Sequence, residues 1–178
     1  MRKTTILILS LSVMLAVLCL GFVSTVGAAD EHKFIGAKKC KMCHKDQFAT
    51  WSSKAHSKAF ATLGSDESKK IAAEKGIEDA QKDPGCLSCH ATAAGVDAKL
   101  LGKGFSMEEG VGCEACHGAG NDYKSGKVMK DHAASVAAGL VEINEKTCTV
   151  CHNEKSPTFV GFKYEEFLKK IDHTEKAE

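Results

Sequence analysis

Cysteine and histidine recur together four times in this chain as Cys-x-x-Cys-His: Cys40, Cys43 and His44; Cys86, Cys89 and His90; Cys113, Cys116 and His117; Cys148, Cys151 and His152. The spacing has a chemical meaning. Two thiols three residues apart can add across the two vinyl groups on one edge of a porphyrin. The imidazole that follows then lies beneath the ring and reaches the iron, which is the attachment chemistry of c-type haem. Other readings use similar residues. A Cys-x-x-Cys pair is half of many zinc sites, but zinc ribbons do not need a histidine after every pair. A thioredoxin-like dithiol needs one such motif in a βαβ setting, and no such pattern is present. Disulfides suit an exported chain, yet they leave four histidines at a fixed offset unexplained. The four motifs therefore imply four covalently bound haem c groups with His44, His90, His117 and His152 as iron ligands.

The other four of the eight histidines are His32, His56, His132 and His173. Haem iron has two axial positions, and His or Met commonly fills the second. His56 lies in residues 45–63, where Phe48, Trp51, Ala55, Ala59 and Thr62 recur at helical spacing. If that helix is continuous, His56 stands about 18 Å of rise from His44 and must serve a different haem. His132 is placed on a helix over about residues 127–138. His173 ends an amphipathic stretch over residues 162–173, with Tyr164, Phe167, Leu168 and Ile171 on its apolar face. His32 stands near a chain end, where order is usually low, and Met107 and Met129 read as packing residues. His56, His132 and His173 are thus three sixth ligands for four irons, and one haem is expected to be five-coordinate.

The elements that carry these residues must come from residues 29–178. Arg2 and Lys3 precede an apolar run from Ile6 that ends in Gly27, Ala28 and Ala29. This pattern reads as a secretory signal peptide, residues 1–28, cut after Ala28. The competing reading is an uncleaved anchor, since the run is long enough to span a bilayer. A lipid anchor at Cys19 is disfavoured because Leu18 before it is not small. Cleavage removes one of the nine cysteines, and the haem motifs use the other eight. Arg2 is the only arginine, so every basic residue of the mature chain is Lys, which disfavours bidentate phosphate or carboxylate clamps. A formal charge of +1 for the whole chain excludes a basic field for nucleic acid. The motifs begin at positions 40, 86, 113 and 148, which is not a fixed period, so a solenoid is not expected. Roughly 150 residues around four porphyrins leave little room for an aliphatic core. The expected fold is mainly α with little or no sheet, a compact multihaem domain over residues 29–178 whose stacked haems form much of the core. The haem-free polypeptide is expected to be poorly ordered.

The chain resembles the tetrahaem cytochrome c-554 family. The likeness spans residues 34–173. It rests on Phe34-Ile35-Gly36-Ala37-Lys38-Lys39 before the first motif, and on Trp51 followed by His56-Ser57-Lys58-Ala59. Gly110-Val111-Gly112-Cys113-Glu114-Ala115-Cys116-His117-Gly118 and the closing helix carry the rest. The resemblance implies bis-His ligation at haems one, three and four, with haem two, held by Cys86, Cys89 and His90, five-coordinate. It implies His56 as the distal ligand of haem three, His132 of haem one and His173 of haem four.

The expected function is periplasmic electron transfer along closely packed haems, between a redox partner protein or quinol oxidoreductase and an acceptor. No stable membrane insertion is expected after cleavage. The alternative is reduction of nitric oxide, nitrite or hydroxylamine at haem two, although no distal Arg is present; a gas sensor would need an output domain that the chain lacks. No catalytic residue is assigned. Lys38, Lys39, Lys41 and Lys45 surround the first motif, as a solvated face or as a docking patch.

Overall fold

The computed structural model describes residues 32–174. The leader read over residues 1–28, including Cys19, lies outside the described residues, as do residues 175–178. The described chain is built of short helices joined by turns: α1 (Ala37–Cys40), α2 (Lys45–Ser53), α3 (Ala59–Thr62), α4 (Asp66–Glu74), α5 (Pro84–His90), α6 (Cys113–His117), α7 (Gly126–Met129), α8 (His132–Ala137), α9 (Glu145–Thr149) and α10 (Tyr164–Ile171). The β-structure among the described residues is a single parallel bridge between Phe34 and Leu101. The mainly α expectation holds, and none of the described helices is long and apolar enough to cross a membrane.

Each haem motif forms one helical turn. The His44 amide donates to the Cys40 carbonyl at 2.9 Å, and the His152 amide to the Cys148 carbonyl at 3.0 Å. The second motif occupies the end of α5 and the third is α6 itself. In a helical turn, residues i, i+3 and i+4 share a face. The two thiols and the imidazole of every motif therefore project on one side. Local capping starts these turns where the sequence supplies an acceptor. The Asp83 carboxylate accepts from the Cys86 amide at 2.9 Å with Pro84 in the first turn. Asn144 and Thr147 form a reciprocal capping box at the start of α9.

Two helices expected to be long are broken. Residues 45–63 form α2, a turn of 3-10 helix over His56–Lys58, and α3. The break falls at Lys54, whose backbone is extended at φ −93 and ψ 169. Hydroxyl groups that compete for helical carbonyls cause it: Ser57 donates to Ser52 and Lys54, and Ser53 donates to Thr50. The helix expected over residues 127–138 divides into α7 and α8. Asp131 breaks it by accepting from the Ala134 amide and capping a new helix.

Apolar burial is sparse. Leu63, Ala72 and Ala80 form one small cluster, with Ile77, Cys86 and Leu87 packed against it. The other buried apolar residues are Ile35, Ala37, Ala91, Ala119 and Tyr123. Polar ties do much of the remaining work. The Glu114 carboxylate, only 4% exposed, accepts from the amides of Ile35, Gly36 and Gly120 at 2.7–3.0 Å. It fastens the segment before the first motif to the third.

Candidate haem sites

Burial and hydrogen bonding orient the imidazoles. His90 Nδ1 lies 2.8 Å from the Ala59 carbonyl, so it donates there and its Nε2 is left free for a metal. The Tyr123 hydroxyl lies 3.0 and 2.9 Å from the carbonyls of His117 and Gly118 and locks the end of α6. Phe162 stacks on His152 at 5.1 Å, and Phe167 stands at 5.9 Å from the same ring. Burial pushes the pKa of His56, His117 and His152 below the ordinary histidine value. The neighbouring His152 adds to the effect on His56, and His173 and His44 add to it on His117. A neutral imidazole is the form that ligates iron.

Two pairs of imidazoles face each other. The rings of His56 and His152 have centroids 6.0 Å apart, and those of His117 and His173 are 6.1 Å apart. With metal–nitrogen bonds of about 2 Å, two imidazoles on one iron have centroids about 6 Å apart. The residues present therefore fit two bis-imidazole irons in ring separation. His117 and His173 line a cleft that also contains Cys113, Cys116, His44 and His56.

These pairs differ from those the resemblance implied. His56 was expected opposite the third motif and His173 opposite the fourth; the close pairs are His56 with His152 and His173 with His117. At the end of α10, Asp172 leaves helical geometry at φ −54 and ψ 132, and His173 Nδ1 approaches the Ile171 carbonyl at 3.1 Å. His56 is held by its own backbone: its carbonyl accepts from the Val111 amide at 2.9 Å. Trp51 Nε1 donates to the Val111 carbonyl, also at 2.9 Å.

The other histidines have different surroundings. His132 is 71% exposed at its side chain, with Nε2 3.6 Å from Glu142. His32 Nδ1 pairs with Asp122 at 2.7 Å, and its ring lies against Gly139. Met107 stands in a 3-10 turn and Met129 in α7.

The thiols of different motifs are neighbours. Cys40 lies within hydrogen-bond reach of Cys113, an interaction that raises the pKa of Cys40 and lowers that of Cys113. Cys116 stands within electrostatic reach of Cys148. Cys151 stands within electrostatic reach of Cys89, and burial first, with Cys89 second, pushes its pKa up to about 12. All eight are free cysteines.

Sequence reasoning passed over Glu114, Tyr123, Phe162 and the Ala59 carbonyl, which position the motifs without touching a metal. A signal for the first two was present in the glycines at 110, 112, 118 and 120, which permit close backbone approach around the third motif. A Cβ at Gly110 would lie 2.6 Å from the His56 carbonyl, and Gly110 has φ +74.

Comparison with known proteins identifies the family. The family model described as cytochrome c554 and c-prime matches residues 39–118. Cytochrome c-554 of Nitrosomonas europaea is 30% identical over 167 residues, covering 81% of this chain and 69% of that protein. The structure of reduced cytochrome c554 from the same organism superposes with a TM-score of 0.52 at 30% identity, covering 75% of this chain and 72% of that one. The chain belongs to the cytochrome c-554 family, c-type cytochromes of electron transfer that carry covalently bound haem c.

Proposed function

We propose that this chain is an exported, periplasmic four-haem electron carrier whose haems form the row one, three, four, two. The observation that carries the reading is the pairing of two imidazoles at metal-bridging distance beside two pairs of motif thiols. His117 and His173 would hold haem three with Cys113 and Cys116, and His152 and His56 would hold haem four with Cys148 and Cys151. His44 and His132 are assigned to haem one, with Cys40 and Cys43. His90 is assigned to haem two, with Cys86 and Cys89. Haem supplies the one-electron couple; the chain supplies neutral imidazoles, burial and spacing.

The order of the row follows the thiol neighbours. Cys40 beside Cys113 links haems one and three, Cys116 near Cys148 links three and four, and Cys151 beside Cys89 links four and two. An electron delivered to one end passes through the two bis-histidine centres to reach the other. The partners would be a redox protein or quinol oxidoreductase on one side and an acceptor on the other.

A histidine count favours a second reading, reduction of a small nitrogen oxide at haem two. The two close pairs use His56 and His173, and His32 is held by Asp122. His132 is then the single spare imidazole for haems one and two, which leaves haem two five-coordinate.

The test is the spin state and haem content of the purified holoprotein. Four attached haems, reversible reduction and a high-spin fraction of one haem that binds carbon monoxide are expected. Fewer than four haems, or four low-spin haems that bind no gas, would overturn the four-haem assignment or the open haem, respectively. Steady turnover of nitric oxide or hydroxylamine would establish the second reading.

A further inference from the structure

We propose that the surface around the first haem motif is the entry port for electrons, built to receive an acidic redox protein. This rests on the four-haem carrier reading and adds the site of entry and the chemistry of the donor. Among the eight motif cysteines, Cys43 alone is exposed; the other seven are partly covered. A thioether at Cys43 puts the vinyl edge of haem one one bond from an exposed sulfur. Met42, between the two thiols, is 69% exposed. An apolar side chain at the reachable edge of a haem is the centre that a short-lived electron-transfer contact needs.

Lys38, Lys39, Lys41 and Lys45 flank this centre in the sequence, and all four are exposed. The lysine ion pairs among the described residues use Lys69, Lys82, Lys99 and Lys163, with acidic groups one turn away or closer. The four lysines of the first motif share in none of them. Lys41 lies over the Phe48 ring at 4.9 Å, which keeps its charge beside Met42. Asp46, in the first turn of α2, is the nearest carboxylate in sequence. A cluster of unpaired like charges beside an apolar centre selects a partner of opposite sign and speeds its approach. Haem one also stands at the end of the row away from haem two, so entry here uses the whole row.

The test is stopped-flow reduction of the tetrahaem holoprotein by flavodoxin hydroquinone, an acidic donor, with dithionite as a small-molecule control. Lys38, Lys39, Lys41 and Lys45 are changed together to Gln. The second-order rate with flavodoxin is expected to fall roughly tenfold or more at low ionic strength and to lose most of its salt dependence. Reduction by dithionite and the haem spectrum stay unchanged. Met42→Ala is expected to slow the reaction with the salt dependence intact. Changing Lys69, Lys70, Lys127 and Lys130 to Gln is the control set. Equal loss in the control set, no loss in the four-lysine variant, or a wild-type rate with flavodoxin that does not fall with added salt would each overturn the port. Failure of dithionite to reduce the wild-type protein would instead overturn the carrier reading beneath it.

Discussion

On the proposed assignment, His56 and His173 each complete the ligation of one haem iron. Each faces a motif imidazole at the separation that one iron requires. His56→Ala is expected to remove one haem's worth of low-spin signal, with the loss at haem four. His173→Ala should do the same at haem three. Electron paramagnetic resonance of the ferric protein separates the two, and an unchanged spectrum excludes that residue as a ligand. Burial, joined in the holoprotein by the proposed iron ligation, sets a pH dependence in one direction, because each disfavours the protonated imidazole. His56, His117 and His152 all have folded pKa values below the unfolded value of about 6.5. Below about pH 6.5 the unfolded chain then binds more protons than the folded one, so stability falls as the pH falls and is fully present above it. The urea midpoint of the holoprotein should be flat above about pH 6.5 and decline below it; a midpoint that rises on acidification would contradict the buried neutral imidazoles.

The motif turns and their thiols were legible residue by residue, because Cys-x-x-Cys-His is a local pattern and a helical turn presents it whole. The pairing of histidines was not legible. His56 meets His152 across 96 positions and His173 meets His117 across 56, and those meetings depend on where α2 breaks and how α10 ends. Apolar periodicity over residues 45–63 suggests one helix, but the serine hydroxyls at 53 and 57 take the carbonyls a helix would use. The exposed and open surroundings of His132 could not be read from a helix that the capping Asp131 divides.

Elements in this fold are tied more by polar clamps than by packing, and the clamps can be tested singly. Glu114 holds three backbone amides of two segments. Glu114→Ala leaves those buried donors unpaired and should cost at least about 3 kcal/mol. Denaturant unfolding of the holoprotein measures it; a loss below about 1 kcal/mol would show that water replaces the carboxylate. Gly110→Ala acts through another route. Its new Cβ would meet the His56 carbonyl, at a backbone φ of +74 that L side chains rarely adopt. The expected result is a selective loss of low-spin signal at haem four with haem three retained. Uniform loss at both would indicate general unfolding instead.

At the scale of the whole molecule, the described core is small. Beyond the Leu63, Ala72 and Ala80 cluster, burial falls mostly on alanines and on Ile35 and Tyr123. A chain of this length ordinarily buries a larger share of apolar surface. The mainly α class and the four motif turns could be read from the sequence, but the thinness of the core could only be argued from the space that four porphyrins take. The haem-free chain, made with all eight motif cysteines changed to Ala, is expected to show weak helical circular dichroism and no cooperative melt. A cooperative transition would show that the polypeptide folds without the cofactor.

The thiol neighbours have a consequence for how the molecule is made. Cys40 sits beside Cys113 and Cys89 beside Cys151, and in each couple the partners belong to different haems. In an oxidising compartment such couples are disulfides waiting to form. A chain that closed before its cysteines were alkylated by the vinyl groups would weld those couples and shut all four motifs to haem. On the proposed reading, assembly runs from thioether to fold. A polypeptide that stays loose until haem is attached would keep the wrong sulfurs apart until the right chemistry has used them.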